Sequence, residues 1–587
     1  MVPAAFVRID AIPLNPNGKL DRAALPAPTF AEASTETESQ APSTPAEERL
    51  ARIWAQVLGR ERVGVHENFF ELGGDSILSI QMVVRATDEG LRITPRQIFQ
   101  HQTVAALAAV AGTAPAVAAE QGTVTGEAPL TPVQHWFFDG DPADPHHFNM
   151  PVLLRATERV DAEVLARAVA AVVEHHDALR MRFDRGATGW RAWTADASEP
   201  PPLDVGDLSA VPDAELAAAI AARADAAQRG LDLARGLFCA LLIDCGPARP
   251  QRILLVVHHL VMDAVSLPLV TADLETACRQ LAAGGEARLP AKTTAFRDWA
   301  RRLADQAGSP ELRKESDFWR AAVPAIVPAL PADDAAAPDT EGDAETARFE
   351  LTGAETRALL HDAPAAFGGQ VPELLLAALA RAFERWSGSA RLLVDVEAHG
   401  REELFADVDL SRTVGWFTAI HPVHLSVEGC AEPGDAVAAV RETLRAVPNR
   451  GIGFGVLRWL SLEPRVRAGL RSLPKAQVSF NYLGQMDAAA PPAGSLFAPA
   501  DEPVGAHRSP RARRLHRIAA EAVVWEGRLH VSLVYGAAVY RRETMERLSA
   551  AWAAALRELV AHCAAPDAAA QADALDAELA MVGGVEG

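Results

Sequence analysis

At 587 residues the chain is long enough for several domains, each with its own core. Hydrophobic residues make up 49% and charged residues 23%, an ordinary globular composition, and the net charge of −21 argues against binding to a phosphate backbone. No apolar run approaches the roughly 18 residues of a membrane span, and the N-terminus lacks the basic-then-apolar layout of a signal peptide.

Residues 1–28 are too short to fold alone, with turns marked by Pro13, Pro16, Asn17 and Gly18. Residues 29–43, rich in Ser, Thr, Glu, Ala and Pro, read as a linker. From 44 to 112 the pattern is helical. Thr44-Pro45-Ala46-Glu47 is a capping box with proline in the first turn, followed by Leu50, Ile53, Trp54, Val57 and Leu58 at helical spacing. A second helix starts at Ser76 and carries Ile77, Ile80, Val83 and Val84; a last one covers about 104–111. Residues 113–127 form another linker, and about 128–565 read as one large α/β unit. Its clearest strands are the apolar run Ile253–Val257 and the alternating Leu529–Tyr535. Between them, Pro328–Glu345 is acidic and poor in bulky apolar residues, which predicts a mobile connection between a lobe at 128–328 and one at 346–565. The acidic tail, 566–587, is weakly patterned and reads as disordered. The basic cluster Arg508, Arg511, Arg513, Arg514 and Arg517 reads as a solvated loop or an anion contact. Five scattered cysteines (Cys239, Cys245, Cys278, Cys430, Cys563) form no CxxC pair, which fits a reducing cytoplasm and argues against a zinc site or disulfides.

Two segments carry chemistry. In Leu72-Gly73-Gly74-Asp75-Ser76-Ile77 the glycines allow a tight turn that exposes the Ser76 hydroxyl, and the helix N-terminus favours a negative group attached there. In His258-His259-Leu260-Val261-Met262-Asp263 the two histidines close an apolar strand, so neighbouring side chains point to opposite faces. One faces a channel while the other packs inward.

With Asn68-Phe69-Phe70-Glu71 ahead of it, the serine segment resembles the peptidyl carrier domain of nonribosomal peptide synthetases. The resemblance implies 4′-phosphopantetheine on Ser76, added by a separate phosphopantetheinyl transferase. Gly-Gly-Asp-Ser-Ile, rather than Gly-Gly-His-Ser-Leu, resembles carriers that precede an epimerization domain. Pro13-Leu14-Asn15-Pro16-Asn17-Gly18-Lys19-Leu20-Asp21-Arg22 is similar to the closing motif of adenylation domains, with Lys19 at the position of the adenylate-contacting lysine. A chain that starts inside such a motif reads as part of a longer protein, and Lys19 as a remnant. The His-His-x-x-x-Asp segment resembles the condensation-domain superfamily, and five further segments resemble its epimerization branch in order: Leu130–Phe138, Phe296–Trp299, Glu397-Ala398-His399-Gly400-Arg401-Glu402, Arg412–Thr418 and Phe480-Asn481-Tyr482-Leu483-Gly484.

The fold this implies is multidomain: a small all-α four-helix carrier bundle, then an α/β domain of two chloramphenicol-acetyltransferase-like lobes around a tunnel. The function it implies is inversion of the α-carbon of an L-aminoacyl or peptidyl thioester held on Ser76. By resemblance His259 and Glu397 are the acid/base pair on opposite sides of that carbon; which of them deprotonates the L form stays open. His258 supports its loop, and Asp263 makes an ion pair with Arg412 as partner. Asn481 and Tyr482 stand near the site and bond the thioester or enolate oxygen, packing being the other role for Tyr482. His399 braces its loop, Trp136 and Trp416 are core aromatics, and Ser266 caps the helix that carries Pro268. No metal or redox cofactor is called for, and the implied partners are an upstream adenylation domain and a downstream condensation domain. The chain departs from the family at Ala264 and Ala398, where glycine is usual, and at Ser266-Leu267-Pro268. One alternative is a condensation domain forming peptide bonds, against which Val414-Gly415-Trp416-Phe417-Thr418 and the glutamate motif argue; the other is a catalytically degenerate docking module, which Ala264 leaves open.

Overall fold

The computed structural model describes residues 40–112, 117–187, 189–198, 203–486 and 494–563. The adenylation-like segment with Lys19, residues 29–39 of the first linker and the tail 566–587 lie outside the described residues.

Four helices form the first unit: α1 (Pro45–Val57), α2 (Ser76–Asp88), α3 (Pro95–Gln100) and α4 (Val104–Val110). Thr44 and Glu47 close the expected capping box, the Glu47 amide donating to Thr44 Oγ1 at 3.2 Å and the Thr44 amide to Glu47 Oε2 at 3.0 Å. Leu50, Ile53, Trp54 and Val57 are fully buried, and Trp54 meets Phe69 edge-on at 5.0 Å. These residues belong to a hydrophobic cluster of the bundle's own.

The second unit has two lobes. The strands in chain order are β1 (Gly126–Ala128), β2 (Asn149–Ala156), β3 (Met181–Gly186), β4 (Gly189–Thr194), β5 (Leu203–Asp207), β6 (Phe238–Asp244), β7 (Arg252–His258), β8 (Ala344–Glu350), β9 (Arg391–Ala398), β10 (Ala419–Ser426), β11 (Val478–Gln485), β12 (Phe497–Pro499), β13 (Ile518–Trp525) and β14 (Arg528–Gly536). The N-terminal lobe holds a five-stranded sheet, β12-β2-β7-β6-β5, and a small sheet, β1-β4-β3. Helices Ala162–His175 and Ser266–Ala282 cover one face of the larger sheet and Asp213–Gln228 the other, so β7 is apolar on both sides.

The C-terminal lobe is a six-stranded mixed sheet, β10-β9-β11-β13-β14-β8. Helices Val371–Ser387 and Arg542–Cys563 cover one face. Leu374, Leu375, Leu376 and Leu379 are essentially solvent-free there, each contributing about 1.5–3 kcal/mol. Strand alternation then decides the other face. Val394, Phe480, Ala520 and Ala522 point into the helix-covered core, so Asp395, Glu397, Asn481 and Glu521 point away from it. Among the described residues no single helix is long and apolar enough to cross a membrane, and all five cysteines are free.

Two expectations are corrected. The connection over 328–345 is pinned rather than loose. Asp334 donates its amide to the Val539 carbonyl, Glu341 donates its amide to the Ala512 carbonyl, and Asp339 and Glu341 pair with Arg514, Glu341 also with Arg508. The acidic segment and the arginine-rich one neutralise each other. The two lobes also do not divide at one point in the chain. β12 leaves the C-terminal lobe to pair with β2, Glu502 pairs with Arg252, and Asn149 and Ser509 donate their amides to the carbonyls of His507 and His147. The stretch 497–509 straps the C-terminal lobe onto the N-terminal sheet.

Candidate active site and carrier attachment site

β7 runs into its two histidines, and a turn of 3₁₀ helix (His259–Val261) follows at once. His258 is completely buried, its Nε2 donating to the Pro145 carbonyl at 2.9 Å and its Nδ1 accepting the Leu260 amide at 3.2 Å. Burial pushes its pKa down to about 3. His259 turns the other way, stacked on Phe148 at 5.1 Å and tilted against Trp416 at 4.6 Å. Its Nδ1 is buried without a hydrogen-bond partner among the described residues. Burial, then the Arg508 guanidinium, lower its pKa to about 4.

Glu397, on β9, accepts a hydrogen bond from Asn481 Nδ2 at 3.2 Å. Burial raises its pKa to about 7; His516 and Arg508 oppose the rise, and Glu521 and Asp395 add to it. The two groups share one neighbourhood. Arg508 acts on both, and its guanidinium lies 4.9 Å above the Phe148 ring. From His259 an aromatic row leads through Trp416 and Trp136 to His516, which bonds Asp395 at 2.8 Å, on the same face of β9 as Glu397. Trp416, buried, is therefore also a wall of the site. A cleft along this row is lined by Trp136, Asp395, Arg458 and His516 among others.

The remaining candidates separate. Asp263 does not pair with Arg412: its partner is Arg401, at 3.0 Å. Arg401 also donates to Ser266 Oγ at 2.8 Å and to the carbonyls of Leu410 and Thr413, and lies over the Phe417 ring at 4.0 Å. Ser266 Oγ donates to Asp263 Oδ1 at 2.7 Å, and the amides of Ser266 and Phe417 donate to the same carboxylate. The serine expected to cap a helix is a rivet between the lobes. Arg412 instead meets Asp273 at 2.7 Å, and Asp273 also bonds His176 at 2.9 Å. With His175 this group has metal-ligand spacing, but its carboxylate is already held by an arginine. Tyr482 lies on the helix-covered face of β11, opposite to Asn481, and is not brought to the histidine–glutamate pair; the carrier's Asp75 is the charge near enough to act on it. His399 Nδ1 accepts the Arg401 amide at 3.0 Å.

Sequence reasoning did not single out Arg401 or Arg508. The first stands inside the Glu397–Glu402 motif, while the second had only its charge as a signal. Ala264 is exposed, and Ala398 pairs with Ala419 at the end of β9. The glycine this loop requires is Gly400, at φ +68°, where a Cβ would stand 1.7 Å from the Phe417 carbonyl oxygen.

Ser76 is the first residue of α2. Asp75 caps the helix, its Oδ1 accepting the amides of Ile77 and Leu78 at 2.9 and 2.8 Å, and Gly73 turns the chain at φ +96°. The serine is partly exposed, and its hydroxyl makes no hydrogen bond among the described residues. A free hydroxyl behind two side-chain-free residues suits a phosphodiester-linked arm.

Comparison with known proteins agrees with this geometry. Residues 124–575 match the condensation domain family and residues 48–111 the phosphopantetheine attachment site family. The chain belongs to the condensation domain family and carries a carrier domain ahead of it, with 4′-phosphopantetheine as covalent cofactor. It is similar to the epimerization domain from the third module of a tyrocidine synthetase, with 31% identity and a TM-score of 0.70, over 76% of this chain and 99% of that one. It is 44% identical over 95% of its length to a linear gramicidin synthase of Brevibacillus parabrevis, and 45% identical over 96% to a chondramide synthase of Chondromyces crocatus. It spans only 11% and 14% of those two proteins. More particularly, then, the chain is a carrier–epimerization pair of the nonribosomal peptide synthetases, an isomerase.

Proposed function

We propose that this pair inverts the α-carbon of an aminoacyl or peptidyl thioester tethered to Ser76, with His259 and Glu397 exchanging protons with that carbon from opposite sides. The observation that supports the reading is that these two groups share the Arg508 guanidinium as a neighbour and carry oppositely displaced pKa values, one about 4 and one about 7. When bound, 4′-phosphopantetheine supplies the thioester whose carbonyl acidifies the α-hydrogen.

The residues divide the work. Between about pH 4 and 7 the resting pair is neutral imidazole and neutral carboxyl, so one side accepts a proton while the other has one to donate. After one inversion the proton has moved from Glu397 to His259, and the pair is set for the reverse direction. Asn481 orients the Glu397 carboxyl through its 3.2 Å hydrogen bond. Arg508, a permanent cation beside both groups, is placed to balance negative charge on the cargo carbonyl oxygen as the α-proton leaves. Phe148, Trp136 and Trp416 keep water from the reacting carbon. The partners implied are an upstream adenylation domain, a downstream condensation domain and a phosphopantetheinyl transferase, in the cytoplasm.

The test loads Ser76 with a panel of L-aminoacyl and peptidyl pantetheines and incubates the protein in D₂O. Deuterium at the α-carbon with a D-configured product, lost in both His259→Ala and Glu397→Ala, is the expected result. Complete loading without exchange across the panel would overturn the reading.

A further inference from the structure

The two ends of β11 meet different things. The carrier rests at its C-terminal end, where Gln485 donates its side-chain amide to the Gly73 carbonyl and His361 Nδ1 bonds the Glu71 carbonyl at 3.1 Å. Midway along the strand, Asn481 holds Glu397. Ahead of the strand, the segment Leu473–Ala476 borders the cleft that Asp395, Arg458 and His516 also line. β9 and β13 run parallel to β11, so Asp395 and His516 lie on the side of Glu397 that is away from the carrier. An arm that enters from the carrier reaches the reacting pair first and the cleft second.

Arg458 and Trp459 belong to a π-helical turn, Val456–Leu460, a rare form that recurs at functional sites. Gly455 precedes it. A Cβ there would stand 2.8 Å from Pro132 Cβ, so the turn closes directly on the helix Pro132–Asp139. Arg458 is buried, its Nη1 donating to the Leu470 carbonyl at 2.6 Å and its guanidinium lying 5.2 Å from the Trp459 ring. Among the described residues it makes no other hydrogen bond and no ion pair; Asp139 and Asp395 act on it only from a distance. Trp459 is buried too, and its Nε1 has no partner among the described residues. The Asp395 carboxylate is engaged by His516 at 2.8 Å.

The wall of the cleft therefore holds donors that are not used. Buried donors without acceptors are costly, so what completes this wall must bring acceptors. The two carboxylates near Arg458 disfavour an anion there, which leaves a neutral carbonyl. Ile420, Pro422, Phe454 and the exposed Leu515 set apolar surface around the donors. Neutral acceptors spaced between apolar side chains are what a peptide offers.

We propose that this cleft is the subsite for the peptide portion of the tethered cargo, with the Arg458 guanidinium and Trp459 Nε1 donating to backbone carbonyls of the residues that precede the one being inverted. This deepens the function proposed above and rests on it. Asp395 and Glu397 are next neighbours on one face of β9, about 7 Å apart at strand rise. An extended peptide covers that distance in about two residues. An aminoacyl cargo ends short of Arg458, and a tripeptidyl cargo reaches it. Arg458 is a positioning residue; the proton transfers stay with His259 and Glu397.

The experiment uses the full chain with Ser76 loaded in turn with an aminoacyl pantetheine, a neutral tripeptidyl pantetheine ending in the same residue, and a glutamyl pantetheine. Initial rates of inversion are read by chiral analysis of the released cargo. The ratio of the tripeptidyl to the aminoacyl rate falls about tenfold or more in Arg458→Met, the loss expected for a hydrogen bond from a charged donor. Arg458→Lys restores part of it. Trp459→Phe keeps a ring and removes only the N–H, and the ratio falls by a smaller factor. A ratio that stays at the parent value in Trp459→Phe and in whichever Arg458 variants fold overturns the subsite. A parent chain that inverts the aminoacyl cargo and rejects the tripeptidyl one overturns it as well. A loss in Arg458→Met confined to the glutamyl cargo overturns it in favour of a site for acidic side chains. If the parent inverts none of the three, the epimerase reading fails and the subsite is read separately, by a photoreactive diazirine at the N-terminus of the tripeptidyl cargo on Ser76. Crosslinks to Leu473–Ala476 or Leu515 support the subsite; crosslinks only elsewhere overturn it.

Discussion

Two buried polar clusters meet at the lobe boundary, both on motifs of this family, and they are built on opposite principles. Around Asp263, both carboxylate oxygens are bonded, by Arg401, Ser266 and backbone amides. Around His259 and Glu397, by contrast, one ring nitrogen has no partner among the described residues and the carboxyl has a single weak donor in Asn481. The first arrangement recovers the cost of burying charge and holds the lobes together. The second leaves that cost outstanding, and both groups shift toward their neutral forms. A carboxylate whose two oxygens are both bonded in the resting protein has little left for a substrate; an underbonded one does.

The sharpest way to break this comparison is to remove a reactive group. Glu397→Gln and His259→Ala should each lower inversion of carrier-bound cargo by about 10²- to 10⁴-fold, measured by chiral analysis of the released amino acid, with unchanged urea midpoints. Removing a member of the bonded cluster should do the reverse. Arg401→Met strands the Asp263 carboxylate, and urea unfolding should register a loss of about 3–5 kcal/mol. A stable Arg401→Met protein would mean that the cluster is not what joins the lobes.

Smaller effects follow from the electrostatics. Inversion should decline as pH rises through about 7, because Glu397, whose pKa is raised to about 7, then loses the proton it must donate. Activity should hold down to about pH 4, where His259 takes up a proton. Glu521→Gln removes a charge that raises the Glu397 pKa, so the alkaline limb should shift to lower pH in a pH–rate profile while the chain folds as before. An alkaline limb that does not move would detach it from Glu397.

Local order along the chain made much of this legible. The capping box at Thr44, the glycine turn before Ser76, the apolar run into His258 and His259, and the Glu397 motif are all fixed by residues within a few positions of one another. The face on which Tyr482 lies was readable too: it is adjacent to Asn481 in a strand, and a period of two sends the neighbours to opposite sides. What escaped were partnerships between distant segments. Asp263 met Arg401 rather than Arg412, because the choice between two arginines depends on how the loop after β9 packs under the helix that starts at Ser266.

The acidic stretch 328–345 makes the same point from composition. Alone it has too few apolar groups to order itself. In the folded chain Arg508 and Arg514, far along the sequence, supply the countercharge, while β12 crosses to the other lobe and holds the arginine segment in place. By itself the sequence determined the helices of the carrier, because backbone propensities and caps act over a few residues, and the family resemblance of its motifs implied the two-lobed domain and which histidine and glutamate to look for. Only the tertiary structure decided which charges are matched, which are left underbonded and where the carrier turn rests, because those depend on burial and on contacts between residues hundreds of positions apart.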